Sequence, residues 1–92
     1  MKVENMAMNQ FIIYIDNCTA FQSYDSLIAV KKDGVIYVGN KWDYSKTTLK
    51  YFKQFIRRDW TKAELTKVIN NSEYFISKTE DELHEMIKCQ KE

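Results

Sequence analysis

Leu27-Ile28-Ala29-Val30-Lys31-Lys32-Asp33-Gly34-Val35-Ile36-Tyr37-Val38 decides the fold. Two β-branched runs flank an Asp-Gly pair, and the tight turn that joins paired strands needs positive φ, which glycine accepts without steric cost. The segment therefore reads as a β-hairpin, with Leu27–Lys31 and Val35–Val38 as strands around Lys32-Asp33-Gly34. Upstream, Gln10-Phe11-Ile12-Ile13-Tyr14-Ile15-Asp16 has the length and composition of a strand closed by the turn-forming pair Asp16-Asn17. It is apolar on both faces, which places it centrally in the sheet or under a helix. Between the two, Ala20-Phe21-Gln22-Ser23-Tyr24 alternates like a strand and reads as an early, bulged part of the second one. Residues 1–9, MKVENMAMN, show no period and are expected to form a flexible start to a single domain covering 10–92.

After Gly39-Asn40 the period changes from two to about 3.6 residues. Leu49, Phe52, Phe55 and Ile56 then share one side of a helix that Ser45 or Thr47 can cap. Thr61-Lys62-Ala63-Glu64 and Thr79-Glu80-Asp81-Glu82 each have capping-box spacing, in which the Thr and Glu side chains satisfy each other's backbone donors. They open two shorter helices that bury Leu65, Val68 and Ile69, and Leu83, Met86 and Ile87. Glu73–Ser77 reads as a short strand between them. The expected fold class is α+β, a small antiparallel sheet of three to four strands with two to three helices packed on one face, in the order βββααβα.

Composition narrows the chemistry. The chain has 92 residues, 45% of them apolar, with two Trp, six Tyr and five Phe, enough for one core without metal or disulfide. Only Cys18, Cys89 and His84 could supply Cys/His ligands, which is short of the four that structural zinc takes. Gly34 and Gly39 are the only glycines, so neither a dinucleotide fingerprint nor a P-loop can be built. Nucleophilic catalysis needs a base beside Ser, Cys or Thr; His84, in a Glu-rich helix, reads as a solvated surface residue. The loop acids Asp16, Asp25, Asp33, Asp43 and Asp59 read as turn formers. The expectation is a chain with no catalytic centre, metal or cofactor. No stretch approaches the roughly 18 apolar residues of a membrane span. The five-residue apolar run Phe11–Ile15 is too short for a secretory signal, so a cytoplasmic setting with reduced cysteines is expected.

The net charge of +1 conceals an asymmetry. Residues 31–67 carry ten basic against four acidic side chains, and residues 68–92 carry three against six. Within the first helix Lys46, Lys50, Lys53 and Arg57 recur at steps of four, three and four, which sets them in one sector opposite the apolar side. Arg58, Lys62 and Lys41 could extend this stripe, and Trp42, Tyr44 and Tyr51 are near enough in sequence to flank it. Cations interleaved with aromatics are a footprint of phosphate contact and base stacking. An amphipathic surface helix can also carry a basic stripe. Against that, no acid lies between Ser45 and Arg58, although like charges four residues apart repel and mixed signs would attract.

Two strings, Ser23-Tyr24-Asp25-Ser26-Leu27-Ile28-Ala29 and Tyr44-Ser45-Lys46-Thr47-Thr48-Leu49-Lys50 followed by Phe55-Ile56, fit the pattern SYxSLIA…YSxTTxKxxxxFI. Over residues 21–57 the chain resembles short bacteriophage and prophage proteins of low-GC Gram-positive bacteria. The resemblance implies a fold and a genomic setting rather than a reaction. Small phage proteins of this size often act by stoichiometric binding to a host machine, with anti-CRISPR and other anti-defence inhibitors prominent among them, and the resemblance implies such a role here.

Three readings follow, in order. The first is a phage or mobile-element protein that inhibits a host defence complex, such as a CRISPR effector, by binding a host protein or ribonucleoprotein. The second is a small nucleic-acid-binding accessory protein that uses the basic helix, and the third is an enzyme. The residues expected at the interface are Lys46, Lys50, Lys53, Arg57, Arg58, Trp42, Tyr44 and Tyr51. No membrane partner is expected, and a free strand edge would permit a homodimer.

Overall fold

The computed structural model describes residues 2–15 and 17–88. Five strands follow one another, β1 (Lys2–Ala7), β2 (Gln10–Ile15), β3 (Cys18–Ser23), β4 (Ser26–Lys32) and β5 (Val35–Val38). Helices α1 (Lys46–Ile56) and α2 (Lys62–Asn71) lead to β6 (Phe75–Ser77), and α3 (Glu80–Lys88) follows. The strands lie in one sheet in sequence order. β1 to β5 form an antiparallel meander, and β6 adds to β5 in parallel, Ile36 opposite Phe75.

The Asp33-Gly34 hairpin forms as the sequence requires, with φ 53° at Asp33 and 79° at Gly34 and Lys32 opposite Val35. Two other turns also use positive φ, at Asn9 (63°) and Tyr24 (55°). They meet at one end of the sheet, where the Tyr24 N–H donates to the Asn9 carbonyl at 2.7 Å. The expected turn residue Asp16 lies outside the described residues.

Four features differ from the sequence expectation. The sheet has six strands and is mixed, not antiparallel with three to four. Residues 2–7, expected in a flexible start, form the edge strand β1, whose mostly exposed side chains leave no apolar alternation to read. Cys18–Ser23 is a strand of its own rather than the start of the next one. The bulge expected there falls in its pairing with β4, where Phe21 faces Ala29 but Gln22 faces Leu27. Finally, the helices cover both faces. Phe21, Ile28, Ala29 and Val38 pack with Phe52, Phe55 and Ile56 of α1 and Leu65 and Ile69 of α2. Cys18, Ala20, Leu27 and Val30 pack with Leu83 of α3. Neighbours such as Ala20 and Phe21 enter different cores because successive side chains on a strand point to opposite faces.

Each core rests on a few large groups. Phe21, Phe52, Leu27, Leu65 and Leu83 are all 2% exposed or less, and burying a side chain of this size stabilises by about 1.5–3 kcal/mol. Phe21 and Phe55 stack with ring centroids 5.7 Å apart, joining α1 to the centre of the sheet. Both expected capping boxes are present. Thr61 and Glu64 exchange bonds of 2.8 and 3.2 Å, and Thr79 and Glu82 bonds of 2.9 and 3.1 Å.

Candidate nucleic-acid interface

Helix α1 begins where Ser45, in extended backbone, accepts the Thr48 N–H at 3.1 Å. Thr48 is itself buried, its hydroxyl 2.9 Å from that of Ser23 on β3, so this end of the helix is pinned to the sheet. The buried side of α1 is Thr48, Phe52, Phe55 and Ile56, with Leu49 only partly covered. That rotation turns Lys46 and Lys50 fully outward and leaves Lys53 partly exposed.

The stripe's last member does not lie on the helix. Arg57 is the C-cap, left-handed at φ 59° and ψ 42°, and its N–H bonds the Gln54 carbonyl at 3.2 Å while the Arg58 N–H bonds that of Lys53 at 3.1 Å. This is the Schellman arrangement, with arginine where glycine is usual. Lys31 completes the helix end from β4, donating from Nζ to the Phe55 carbonyl at 2.9 Å and lying 4.8 Å over the Phe55 ring. Burial pushes the Lys31 ammonium below the usual lysine value, and the nearby Arg57 and Arg58 charges push it the same way.

A shallow depression of about 420 Å³ runs over this surface, lined by Lys50, Lys53, Gln54, Arg57, Arg58 and Asp59. A deeper groove of about 460 Å³ adjoins it, sharing Gln54 and Arg57 and reaching across Lys31 to Glu4 and Tyr14 of the β1–β2 hairpin. Among the described residues, the ion pairs are Lys41–Glu80 and Lys62–Asp43, each at 3.5 Å, and His84 Nε2 lies 3.5 Å from Glu80. None involves Lys46, Lys50, Lys53, Arg57, Arg58 or Lys31.

The structure thus brings Lys50, Lys53, Arg57 and Arg58 around one depression, which Asp59 also lines, and leaves Lys46 exposed one turn before Lys50. It does not bring Lys41 or Lys62 there. Lys41 turns to α3, and Lys62 is held by Asp43. The aromatics divide as well. Trp42 packs on Phe52, ring centroids 5.7 Å apart, against the core. Tyr51 packs partly into the same core with the Lys50 Nζ 5.3 Å from its ring centroid, and Tyr44 alone is largely exposed, at 75%. Lys31, Glu4 and Tyr14, which line the adjoining groove, are not among the residues expected at the interface. The sequence signal for Lys31 is its position two residues after the core-facing Ala29, on the same face of β4.

Cys18 is buried, and burial pushes its thiol up from the usual value; Cys89 lies outside the described residues. Among the described residues no cluster of three His, Cys, Asp or Glu side chains is placed to hold a metal ion, and no helix is long and apolar enough to cross a membrane.

Residues 1–77 match a family model described as a family of unknown function (DUF8033), and the chain belongs to that family. No curated protein and no solved structure matches it.

Proposed function

We propose that this member of a family of unknown function is a non-enzymatic binding protein whose α1 face engages nucleic acid through phosphate contacts. One observation carries the reading: five cations, Lys46, Lys50, Lys53, Arg57 and Arg58, share a surface with no ion-pair partner among the described residues. Like charges at helical spacing cost a few tenths of a kcal/mol per pair. Phosphates would offset that repulsion and release condensed counterions on binding. The phage resemblance supplies the setting. In it the nucleic acid belongs to a host defence complex such as a CRISPR effector, and stoichiometric occupancy of that surface inhibits the complex.

The test is fluorescence anisotropy with labelled oligonucleotides across a salt series. If about four phosphates are contacted, the logarithm of affinity falls with the logarithm of salt with a slope near −3. Lys50→Glu combined with Lys53→Glu is expected to remove measurable binding. Capture of a host complex that survives nuclease and moderate salt, and that depends on Tyr44 rather than on the cations, would replace this reading with a protein-only contact.

A further inference from the structure

We propose that the groove between the β1–β2 hairpin and the C-terminal end of α1 is a subsite for one nucleotide of a single strand. Lys31 and Arg57 hold its phosphate, and Glu4 receives an amino group of its base. The inference rests on the α1 face being a nucleic-acid interface, and it names the form of nucleic acid that face takes. At about 460 Å³ the groove has the size of a small-ligand site. It shares Gln54 and Arg57 with the depression over α1, so a strand that follows the helix past Lys50 and Lys53 enters it at Arg57.

The two walls of the groove differ in charge. On one, Lys31 uses one N–H on the Phe55 carbonyl and keeps its other donors, since an ammonium has three. No carboxylate pairs with Lys31 or Arg57 among the described residues, and their mutual repulsion is felt at Lys31. A phosphate bridging the two removes that repulsion. On the other wall Glu4 accepts the Tyr14 hydroxyl proton at 2.7 Å through Oε1, which leaves Oε2 as an acceptor. Sheet pairing fixes it there, with Glu4 opposite Ile12 and Lys2 opposite Tyr14.

A carboxylate facing two cations suits a ligand that is anionic at one end and an N–H donor at the other. Adenine, cytosine and guanine nucleotides meet that description through their exocyclic amines; uracil and thymine carry none. Beside Glu4 the exposed Tyr14 ring has the Lys2 ammonium 5.9 Å from its centroid, which adds a further cation at the mouth of the groove. A duplex keeps its bases paired and stacked inside, so the subsite selects single strands.

The experiment is an amide chemical-shift titration of the full chain with single-stranded oligomers of A, C or U of equal length, with inorganic phosphate as control. Expected are shifts at Glu4, Tyr14, Lys31 and Arg57, with several-fold tighter binding of A and C oligomers than of U. Lys31→Met and Arg57→Gly should each weaken binding about tenfold, the effect of one charge-assisted bond. Arg57→Gly keeps the Lys31 cap, so its loss of binding cannot be put down to an unravelled helix end. Glu4→Ala should erase the difference between A or C and U. Equal binding of all three oligomers, with α1 amides moving and groove amides still, overturns the subsite and leaves the helix-face reading standing. Inorganic phosphate reproducing the full shifts also overturns it. Failure of every oligomer to bind overturns both readings.

Discussion

Replacing Arg57 by glycine should make the protein more stable while weakening its proposed function. Arg57 sits at φ 59° and ψ 42° as the C-cap of α1, a conformation that costs a residue with a Cβ roughly 1–2 kcal/mol. Glycine removes that cost and loses about 0.5–1 kcal/mol through the greater freedom of its unfolded chain. The Arg57 side chain is exposed and makes no ion pair among the described residues. The bonds that close the helix run through backbone groups that glycine retains, including the Arg57 carbonyl that accepts from Arg58 Nη1 at 3.1 Å. The net expectation is a gain of about 0.5–1 kcal/mol, which raises Tm by roughly 2–8 °C for a domain of this size. Arg57→Ala separates backbone from charge, because it keeps the Cβ and with it the conformational cost. Thermal melts followed by circular dichroism at low and moderate salt should place Arg57→Gly above the parent chain and Arg57→Ala within about 2 °C of it. A Tm for Arg57→Gly at or below that of the parent would refute the reasoning, since Arg57 would then stabilise the cap by more than its backbone costs.

The other predictions concern the two sheet faces. Glu80 accepts the Leu27 N–H at 3.1 Å and lies 3.5 Å from Lys41 and His84; burial works against its charged form, but the Leu27 bond, Lys41 and His84 outweigh it and hold its carboxyl below the usual glutamate range. Glu80→Ala strands the Leu27 donor and should cost about 1–3 kcal/mol in urea unfolding at neutral pH. Because the folded-state pKa is depressed, that contribution is complete above the ordinary glutamate value and is lost as pH falls through the folded one, so the gap between parent and variant should close in acid; a gap independent of pH would show that the charge is not responsible. A Cβ on Gly39 would stand 3.0 Å from Leu83 Cδ1 and 3.2 Å from the Ile28 carbonyl, so Gly39→Ala should push α3 from the sheet and cost about 1–3 kcal/mol, read as a lowered urea midpoint. Gln10 is fully buried and neither amide atom has a hydrogen-bond partner in the structure; Gln10→Met should therefore stabilise by about 1 kcal/mol or more, and a lowered midpoint would point to a partner for the amide.

How much of this was legible depended on whether the signal was local. The Asp33-Gly34 turn and both capping boxes act within four residues and form as expected, and of the two expected caps for α1, Ser45 and Thr47, the structure uses Ser45. Strand β1 was invisible because an edge strand needs neither alternation nor apolar side chains, and Val3, the largest apolar group at its outer end, is 53% exposed. The two-sided arrangement of the helices was partly written in β2. Its apolar residues on both faces asked for cover on each side, and Ile12 and Ile13 do go to different cores. The candidate site divides in the same way. Lys46, Lys50 and Lys53 follow from helical periodicity. The Lys31–Phe55 contact joins residues 24 apart in sequence and exists only once α1 lies on β4's side of the sheet.

The distribution of charge is what separates the α1 face from an ordinary solvated one. Several charged groups elsewhere in the fold do structural work: Glu64 and Glu82 close capping boxes, Glu80 holds a strand N–H, Lys41 meets Glu80, and Lys62 meets Asp43. A chain of this composition has acids to spare for α1, yet none lies among its residues, and among the described residues none pairs with its cations. Surface ion pairs contribute little to stability, so folding alone neither demands nor forbids such pairs on this helix. The C-terminal end of α1 goes further. Three cations, Lys31, Arg57 and Arg58, are gathered there against their mutual repulsion, one of them in a strained backbone conformation. Helix capping accounts for Lys31, because a cation beside terminal carbonyls is favourable. It does not account for Arg57, where glycine would cap better and repel nothing. Arg58 lies 5.7 Å over the Trp60 ring, which packing accounts for, and the phosphate proposed at this end of the helix would account for Arg57.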